Sequence, residues 1–342
     1  MKRRNFVKTL ASLAAVGSVS SVASAASFGV DPVSAKPESS SPRGRGFAGP
    51  AAGTPRSFGA SHFSLQINGS DVGFLESVEG GNAVADVVVE GAHAGFATKR
   101  IGAVKYEPLR LKLPAPVHAD VTKLIADSIA GGGAIKSLAI VSYDLNMKAV
   151  AQRDVSDALL TEFGFEQLDA ASKSPLHMVL GFQPASVRSV EKAGEAGKIG
   201  AKTKTTTEGS FKLTLDGIET RGVVSIKPLI AKRSTATATV GGSKVSAQVG
   251  NRFEVEAIDL QVSSAQAQPF FDWFEEFAIK RNKVEERGGK LELLGADLKT
   301  VLYTVNLAGV GISALRVEEQ SSGDKLSRVR ATLYAERLAF AG

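Results

Sequence analysis

The chain has 342 residues, 43% of them hydrophobic and 22% charged, with a formal net charge of +6, which is room for two domains of ordinary globular composition. It contains no cysteine, which excludes disulfides, thiolate metal sites and a cysteine nucleophile. Beyond the N-terminus no run of about 20 apolar residues occurs, so no membrane-spanning helix is expected after the first segment.

That first segment reads as a signal for export. Arg3 and Arg4 precede Phe6 and Lys8, a weakly apolar Ala- and Ser-rich run extends from Thr9 to Val22, and Ala23 and Ala25 offer small residues at the two cleavage positions. The paired arginines, with Phe two places on and Lys four places on, resemble the twin-arginine signal; an ordinary general-secretion signal is the alternative. The resemblance implies export in a folded state from a prokaryotic cytoplasm, to the periplasm or beyond. Residues 1–25 hold Lys2, Arg3, Arg4 and Lys8 and no acid, so removing them takes the charge from +6 to +2. The basic balance belongs largely to the signal, and nucleic-acid binding is not expected.

Residues 26–60 are rich in Pro, Gly and Ser, with prolines at 32, 37, 42, 50 and 55. They carry too little apolar surface to offset an ordering cost of about 1–2 kcal/mol per residue, and a disordered arm is expected. A second linker, at 191–208, is marked by Gly and Lys. Two segments of similar size remain, 61–190 and 209–342.

Each segment opens on the same pattern. In FSLQING, Phe63, Leu65 and Ile67 alternate before Asn68-Gly69; in FKLTLDG, Phe211, Leu213 and Leu215 alternate before Asp216-Gly217. Period-two alternation predicts a half-buried strand, and Asn-Gly or Asp-Gly after it a tight turn. A second apolar run follows in each (GFLESVEG, GVVSIKPL), then strand-like pieces: ADVVVEG in the first, TATATVGG and VSAQVG in the second. Next, VKYEPLRLKL and RFEVEAIDLQV both shift phase by one residue, which predicts a bulge or strong bend.

One helix is predicted per segment. ADVTKLIADSIAG places Val121, Leu124, Ile125 and Ile129 on one face; PFFDWFEEFAIKR, with Pro269 in its first turn, does so with Phe270, Trp273, Phe274 and Phe277. Strands close each segment: SLAIVSYDL, ALLTEFGFEQL and PLHMVLGF, then KLELLGADL, TVLYTVNLAG, GISALRVEE and LSRVRATLYAERLAF. One helix per segment is too few for a parallel α/β fold. The expected fold is mainly β: a duplicated chain of two tandem β-barrels or rolled sandwiches, each capped by one helix.

This order resembles the tail tube proteins of contractile phages and the inner tubes of type VI secretion systems. The family's opening strand, F-x-v-x-i-x-G, is matched by FSLQING. Its middle motif, p-G-x-x-k-Y-x-x-i-x-L-k, is matched by Gly102, Lys105, Tyr106, Leu109 and Leu111. In the second segment Phe253 stands for the tyrosine without a preceding lysine, and LYAERLAF resembles the closing strand. The resemblance implies a structural subunit without cofactor or catalysis. It also implies six-barrel rings, here from three two-domain chains as a homo-oligomer that can stack or join other tail-like proteins. An export signal and a paired domain are departures from the phage pattern. The alternative reading is a periplasmic or cell-surface binding module for a carbohydrate or protein.

Residues for chemistry are sparse. His62, His93, His118 and His177 lack metal-ligand spacing. GRGFAG at 44–49 has no preceding strand to make it a phosphate loop, and no G-x-S-x-G or H-E-x-x-H occurs. Asp216, Asp259 and Asp297 could converge as carboxylates, although turn chemistry already accounts for Asp216. Asn68-Gly69-Ser70 reads as a turn before it reads as a glycosylation acceptor. The candidate interaction residues are Phe271 and Trp273 in FFDWFEEF, with Phe271 expected to stay partly exposed and the other aromatics to face the core.

Overall fold

The computed structural model describes residues 62–93, 95–192, 206–239, 246–282, 285–318 and 328–341. The export signal (Arg3, Arg4, Phe6, Lys8), its cleavage residues Ala23 and Ala25, the 26–60 arm and most of the 191–208 linker lie outside the described residues.

The first half begins with β1 (His62–Ile67) and β2 (Ser70–Leu75), joined by Asn68 and Gly69 at φ 49° and 85°. Both residues of such a turn need positive φ, which is why Asn-Gly is found there. Then come β3 (Ser77–Gly80), a hairpin of β4 (Ala83–His93) and β5 (Phe96–Tyr106), β6 (Leu109–Pro114) and α1 (Ala119–Ile129). β7 (Ile135–Tyr143), β8 (Ala149–Phe165), β9 (Leu168–Asp169), β10 (His177–Gln183) and β11 (Ser186–Glu191) complete it. The sheet runs β2-β1-β7-β8-β10-β6-β3. Only Glu76 separates β2 from β3, and its N–H donates to the Lys112 carbonyl of β6. One stretch of chain therefore supplies both margins, and the sheet curls until they meet.

The second half holds β12 (Phe211–Leu215), β13 (Val223–Ile226), β14 (Leu229–Lys232), β15 (Thr235–Thr239), β16 (Ser246–Gly250), β17 (Glu254–Val255) and β18 (Ile258–Ser263). After α2 (Gln268–Phe274) and a π-helical turn at Glu275–Ile279 come β19 (Arg287–Leu294), β20 (Val301–Glu318) and β21 (Arg328–Ala341). Its sheet runs β12-β19-β20-β21-β18-β13-β9. From β1 and from β12 onward the two orders coincide strand for strand: β1-β7-β8-β10-β6-β3 and β12-β19-β20-β21-β18-β13. Irregularities coincide too. Asp157 and Gly309 have positive φ (46° and 65°) at matching points of β8 and β20. The ladders then skip Thr161 and Ser313, again at matching points. The first strand-strand turn after each helix also repeats: Asp144 accepts the Asn146 and Lys148 N–H groups, and Asp297 those of Lys299 and Thr300. The Thr300 hydroxyl and these N–H groups hold the Asp297 carboxyl down to about 2.

The halves differ at one margin. Among the described residues β2 has no counterpart beside β12. The segment that follows β12 touches it through a Leu215–Ile218 bridge and a bond from the Thr220 hydroxyl to the Leu213 carbonyl. The second sheet is thus an open half-barrel.

The halves are joined through backbone. β14 lies along the end of β8, beyond the end of β7, with Leu229, Ile230, Ala231 and Lys232 opposite Phe165, Gly164, Phe163 and Glu162. Gly164 permits this: a Cβ there would run into the Leu229 carbonyl oxygen. Above the ladder Phe163 meets Phe253 and Phe340 edge-on at 4.9 and 5.4 Å, and Phe165 meets Tyr303 and Phe340. One apolar core runs through both halves. Thr206 is buried between them, its N–H on the Ala115 carbonyl and its hydroxyl on the Leu294 carbonyl.

Three expectations are refined. The phase shift in VKYEPLRLKL and RFEVEAIDLQV is a break between strands, at Glu107-Pro108 and Glu256-Ala257, where the chain leaves the hairpin and enters the curled sheet; Pro108 cannot donate to a ladder. ALLTEFGFEQL belongs to a strand that starts at Ala149, and TVLYTVNLAG and GISALRVEE are one strand, β20, because the positive-φ residues bend these strands without ending them. The second helix gives way at Glu275 to a π turn closed by Lys280 N–H on the Glu275 carbonyl at 2.8 Å. Because β14 reaches β8 only over a glycine, Gly164→Ala is expected to lower stability by about 2 kcal/mol or more, read as a shift in the urea midpoint at unchanged slope.

Candidate interaction surfaces

The two residues singled out in FFDWFEEF part company. Trp273 is 4% exposed and packs with Phe270 and Phe277 in the core, while Phe271 is 38% exposed on the outer face. Helical spacing explains this, since residues 270, 273 and 277 share one side and 271 does not. The Arg287 guanidinium carbon lies 5.6 Å from the centre of the Trp273 ring, and neither the indole N–H nor Arg287 Nε has a hydrogen-bond partner. On the outer face Gln268 bonds Asp272, and Lys280 pairs with Glu275 and Glu276. A stacking platform needs two or more exposed rings side by side, and this helix presents one.

The other described candidates are engaged locally; GRGFAG at 44–49 and the His93 side chain lie outside the described residues. His118 Nδ1 accepts the Asp120 N–H and so caps α1. His177 Nδ1 lies 3.6 Å from a Glu166 carboxylate that Lys112 already pairs at 2.6 Å. His62 packs edge-on against Phe74. Asp259 accepts the Thr332 hydroxyl, Asp297 caps its turn, and the Asp216 carbonyl takes Arg287. The Asp259 and Asp297 carboxylates thus serve separate structural ends, and Asp216 is engaged through its backbone. Among the described residues no group of three or more His, Asp or Glu side chains is placed to hold a metal, and no helix is long and apolar enough to cross a membrane.

What the surface does present is strand. In the β4–β5 hairpin Val84, Val87, Val88, Val89, Phe96, Ile101 and Val104 are all exposed, with Phe96 at 81% and Ile101 at 79%. Three consecutive exposed valines put apolar side chains on both faces of the ribbon, because neighbouring residues point to opposite sides. Glu90–Arg100 and Asp86–Lys105 ion pairs tie the two strands together. Beyond β5, β4 has no strand partner among the described residues. A two-stranded ribbon is marginal alone in water, and an apolar one of this size marks a contact surface. ADVVVEG was readable as a strand; its exposure was not, since a run of valines ordinarily signals a buried strand.

Strand edges stand open as well. From Gly311 to Glu318, β20 runs past the end of β19 and, among the described residues, pairs with β21 alone; Val317 on this stretch is 59% exposed. Beside the outer edge of β12 lies an open groove of about 500 Å³, lined among others by Phe211, Leu213, Ile218, Thr220 and Arg221.

No protein-family model matches the chain, and no curated protein matches it. Solved structures do. A chain of the baseplate of the anti-feeding prophage is similar at 14% identity, over 39% of this chain and 91% of that one, with a TM-score of 0.33. A chain of the sheath-tube complex of an extracellular contractile injection system, PVC, is similar at 16% identity, over 41% and 95%, with a TM-score of 0.34. Hcp1 from Flavobacterium johnsoniae is similar at 16% identity, over 39% and 94%, with a TM-score of 0.25.

The burial contrast sets an expectation. Trp273→Ala is expected to cost about 3–5 kcal/mol, the range for emptying an aromatic core site. Phe271→Ala is expected to cost less than about 1 kcal/mol. Chemical denaturation of the two variants checks this.

Proposed function

We propose that the chain is an exported structural protein that assembles with copies of itself into rings or tubes, without catalysis. The observation that carries this is the β4–β5 hairpin: an apolar ribbon, exposed on both faces, on a chain that also leaves strand edges open. Unpaired strand edges recruit other strands, and proteins that stay single blunt them with charge, proline or a covering loop. Here the ribbon carries exposed valines and an isoleucine beside its charged residues, and two of its cations are already paired within it.

The matching strand order of the two halves supports a tandem duplication, with 61–190 and 209–342 as the repeated domains and 191–208 between them. A duplicated chain reaches sixfold pseudo-symmetry with three copies, and closed rings of this kind are the common outcome of head-to-tail contacts that rotate by a fixed angle. Its partners are further copies and, at the ends of a stack, other assembly proteins of the tail-tube type. The N-terminal pattern supports delivery through the twin-arginine route to the periplasm or the exterior, with cleavage after Ala25. A second reading, a binding module for an extended peptide or a glycan, has the groove beside β12 in its favour.

Light scattering on the purified chain, with and without residues 1–25, together with negative-stain imaging, decides between them. Trimers, rings or stacked tubes are expected; a monomer at all concentrations that binds a peptide or glycan would replace the first reading with the second. Separately, replacing Arg3 and Arg4 by lysine is expected to leave the chain in the cytoplasm, seen by fractionation; unchanged export would point to the general secretory route.

A further inference from the structure

We infer that the base of the β4–β5 hairpin of one copy lies along the free end of β20 in the next copy, in the register with which β14 lies along β8 inside the chain. This rests on the self-assembly reading and names its contact.

The argument is one of equivalent positions fixed by the ladders. Val78 and Ile226 sit opposite Leu111 and Leu260, and those two sit opposite Leu180 and Ala331. Leu180 and Ala331 in turn face Phe163 and Leu315. At the hairpin bases, Ala83 faces Tyr106 and Ala231 faces Val255. Hence Ala83 and Val84 stand where the second half has Ala231 and Lys232, and Ala314, Leu315 and Val317 stand where the first half has Glu162, Phe163 and Phe165. Within the chain the strand at one set of positions covers the strand at the other, Ala231 opposite Phe163 and Lys232 opposite Glu162. The remaining pair, one hairpin base and one strand end, is left over: among the described residues neither has a further strand partner at these positions, with Ala83, Val84, Arg316 and Val317 exposed and Gly81 buried. Val317 is 59% exposed where its counterpart Phe165 is 1% exposed. Each copy thus owns one half of a joint at either end, and only a second copy supplies the other half.

The chemistry of the leftover surfaces fits. Within the chain Phe253 packs edge-on against Phe163. The counterpart of Phe253 is Val104, 57% exposed, and that of Phe163 is Leu315; both are apolar. Asn82 would lie opposite Arg316. The Asn82 side chain holds the Glu107 carboxylate at 2.8 Å, so an exposed guanidinium would come against a carboxylate. One position differs in shape: Arg316 replaces Gly164, which admits the Leu229 carbonyl, so at this point the two copies meet less closely than the two halves do.

The joint between copies is also the weaker of the two. The aromatic cluster inside the chain, with Tyr303 and Phe340, has Ala151 and Ser189 at the corresponding positions of the first half. Assemblies built this way come apart on dilution while each chain keeps its fold.

The chain has no cysteine of its own, which makes the test direct. Full-length Val84→Cys and Ala314→Cys variants are mixed under mild oxidation. The expected result is a covalent dimer from the mixture and none from either variant alone, since the two thiols sit opposite each other at a pair without mutual backbone bonds, where Cβ atoms come closest. Val88→Cys with Ala314→Cys, about four residues out of register, is expected to stay uncoupled. A Val317→Asp variant is expected to raise the concentration for half-assembly by about tenfold or more, with thermal unfolding of the chain unchanged. Assembly by light scattering with no Val84–Ala314 coupling, or with equal coupling from Val88, overturns this contact and leaves self-assembly standing. A monomer at every concentration overturns both.

Discussion

A strand end has to be covered, and the structure follows from how this chain covers its own. β8 is 17 residues long; β10 holds one edge of its last residues, but on the other edge they pass beyond the end of β7. An unpaired backbone donor or acceptor kept from water costs about as much as a lost hydrogen bond. β14, from the other half, meets that need, and the contact is close enough that residue 164 must lack a side chain. Once the backbones are locked there, Phe163 and Phe165 cannot avoid Phe253, Tyr303 and Phe340. Each buried aromatic ring contributes about 1.5–3 kcal/mol of transfer free energy, so the ladder sets the position and the rings supply most of the energy. Arg233 follows the same logic. Its Nε donates to the Leu160 carbonyl at the point where the strands part, its guanidinium covers the Phe253 ring at 4.4 Å, and burial pulls its pKa below the ordinary value.

Much of this was legible in the sequence, for a definable reason. Alternation marks a strand with one less buried face, and β6, β12 and β18 all have one, so their sequences announce them. The helices were legible because their apolar side has the period of 3.6; Val121, Leu124 and Ile125 are buried as that period requires, and only Ile129, in the last turn, stays 45% exposed. The turns were legible because their φ values restrict the residue type. The recurrence of FSLQING as FKLTLDG pointed to two similar halves, and the strand orders agree from β1 and β12 onward.

What stayed hidden is of another kind. No period in LIAK says that its partner is a strand some 65 residues earlier, because pairing between halves depends on where two sheets come to lie. The apolar run of β4 was misleading for a related reason. A run of valines is equally suited to a strand buried inside one molecule and to a strand waiting outside it, and local sequence does not distinguish the two. The aromatic helix drew attention for its composition, yet its rings are mostly core. The site with more surface to offer lay in plain valines.

The two halves, alike in strand order, use that order differently. In the first, β2 closes the sheet on itself and the hairpin projects with both faces bare. In the second, the position beside β12 is left open, while the hairpin base is folded back onto the first half. An edge closed in one half is open in the other, and a hairpin used in one is unused in the other. A sheet that satisfied all of its own margins twice over would have no use for a chain of two halves. A chain that leaves one margin short in each, of complementary kinds, keeps its own fold through the joint between β14 and β8 alone.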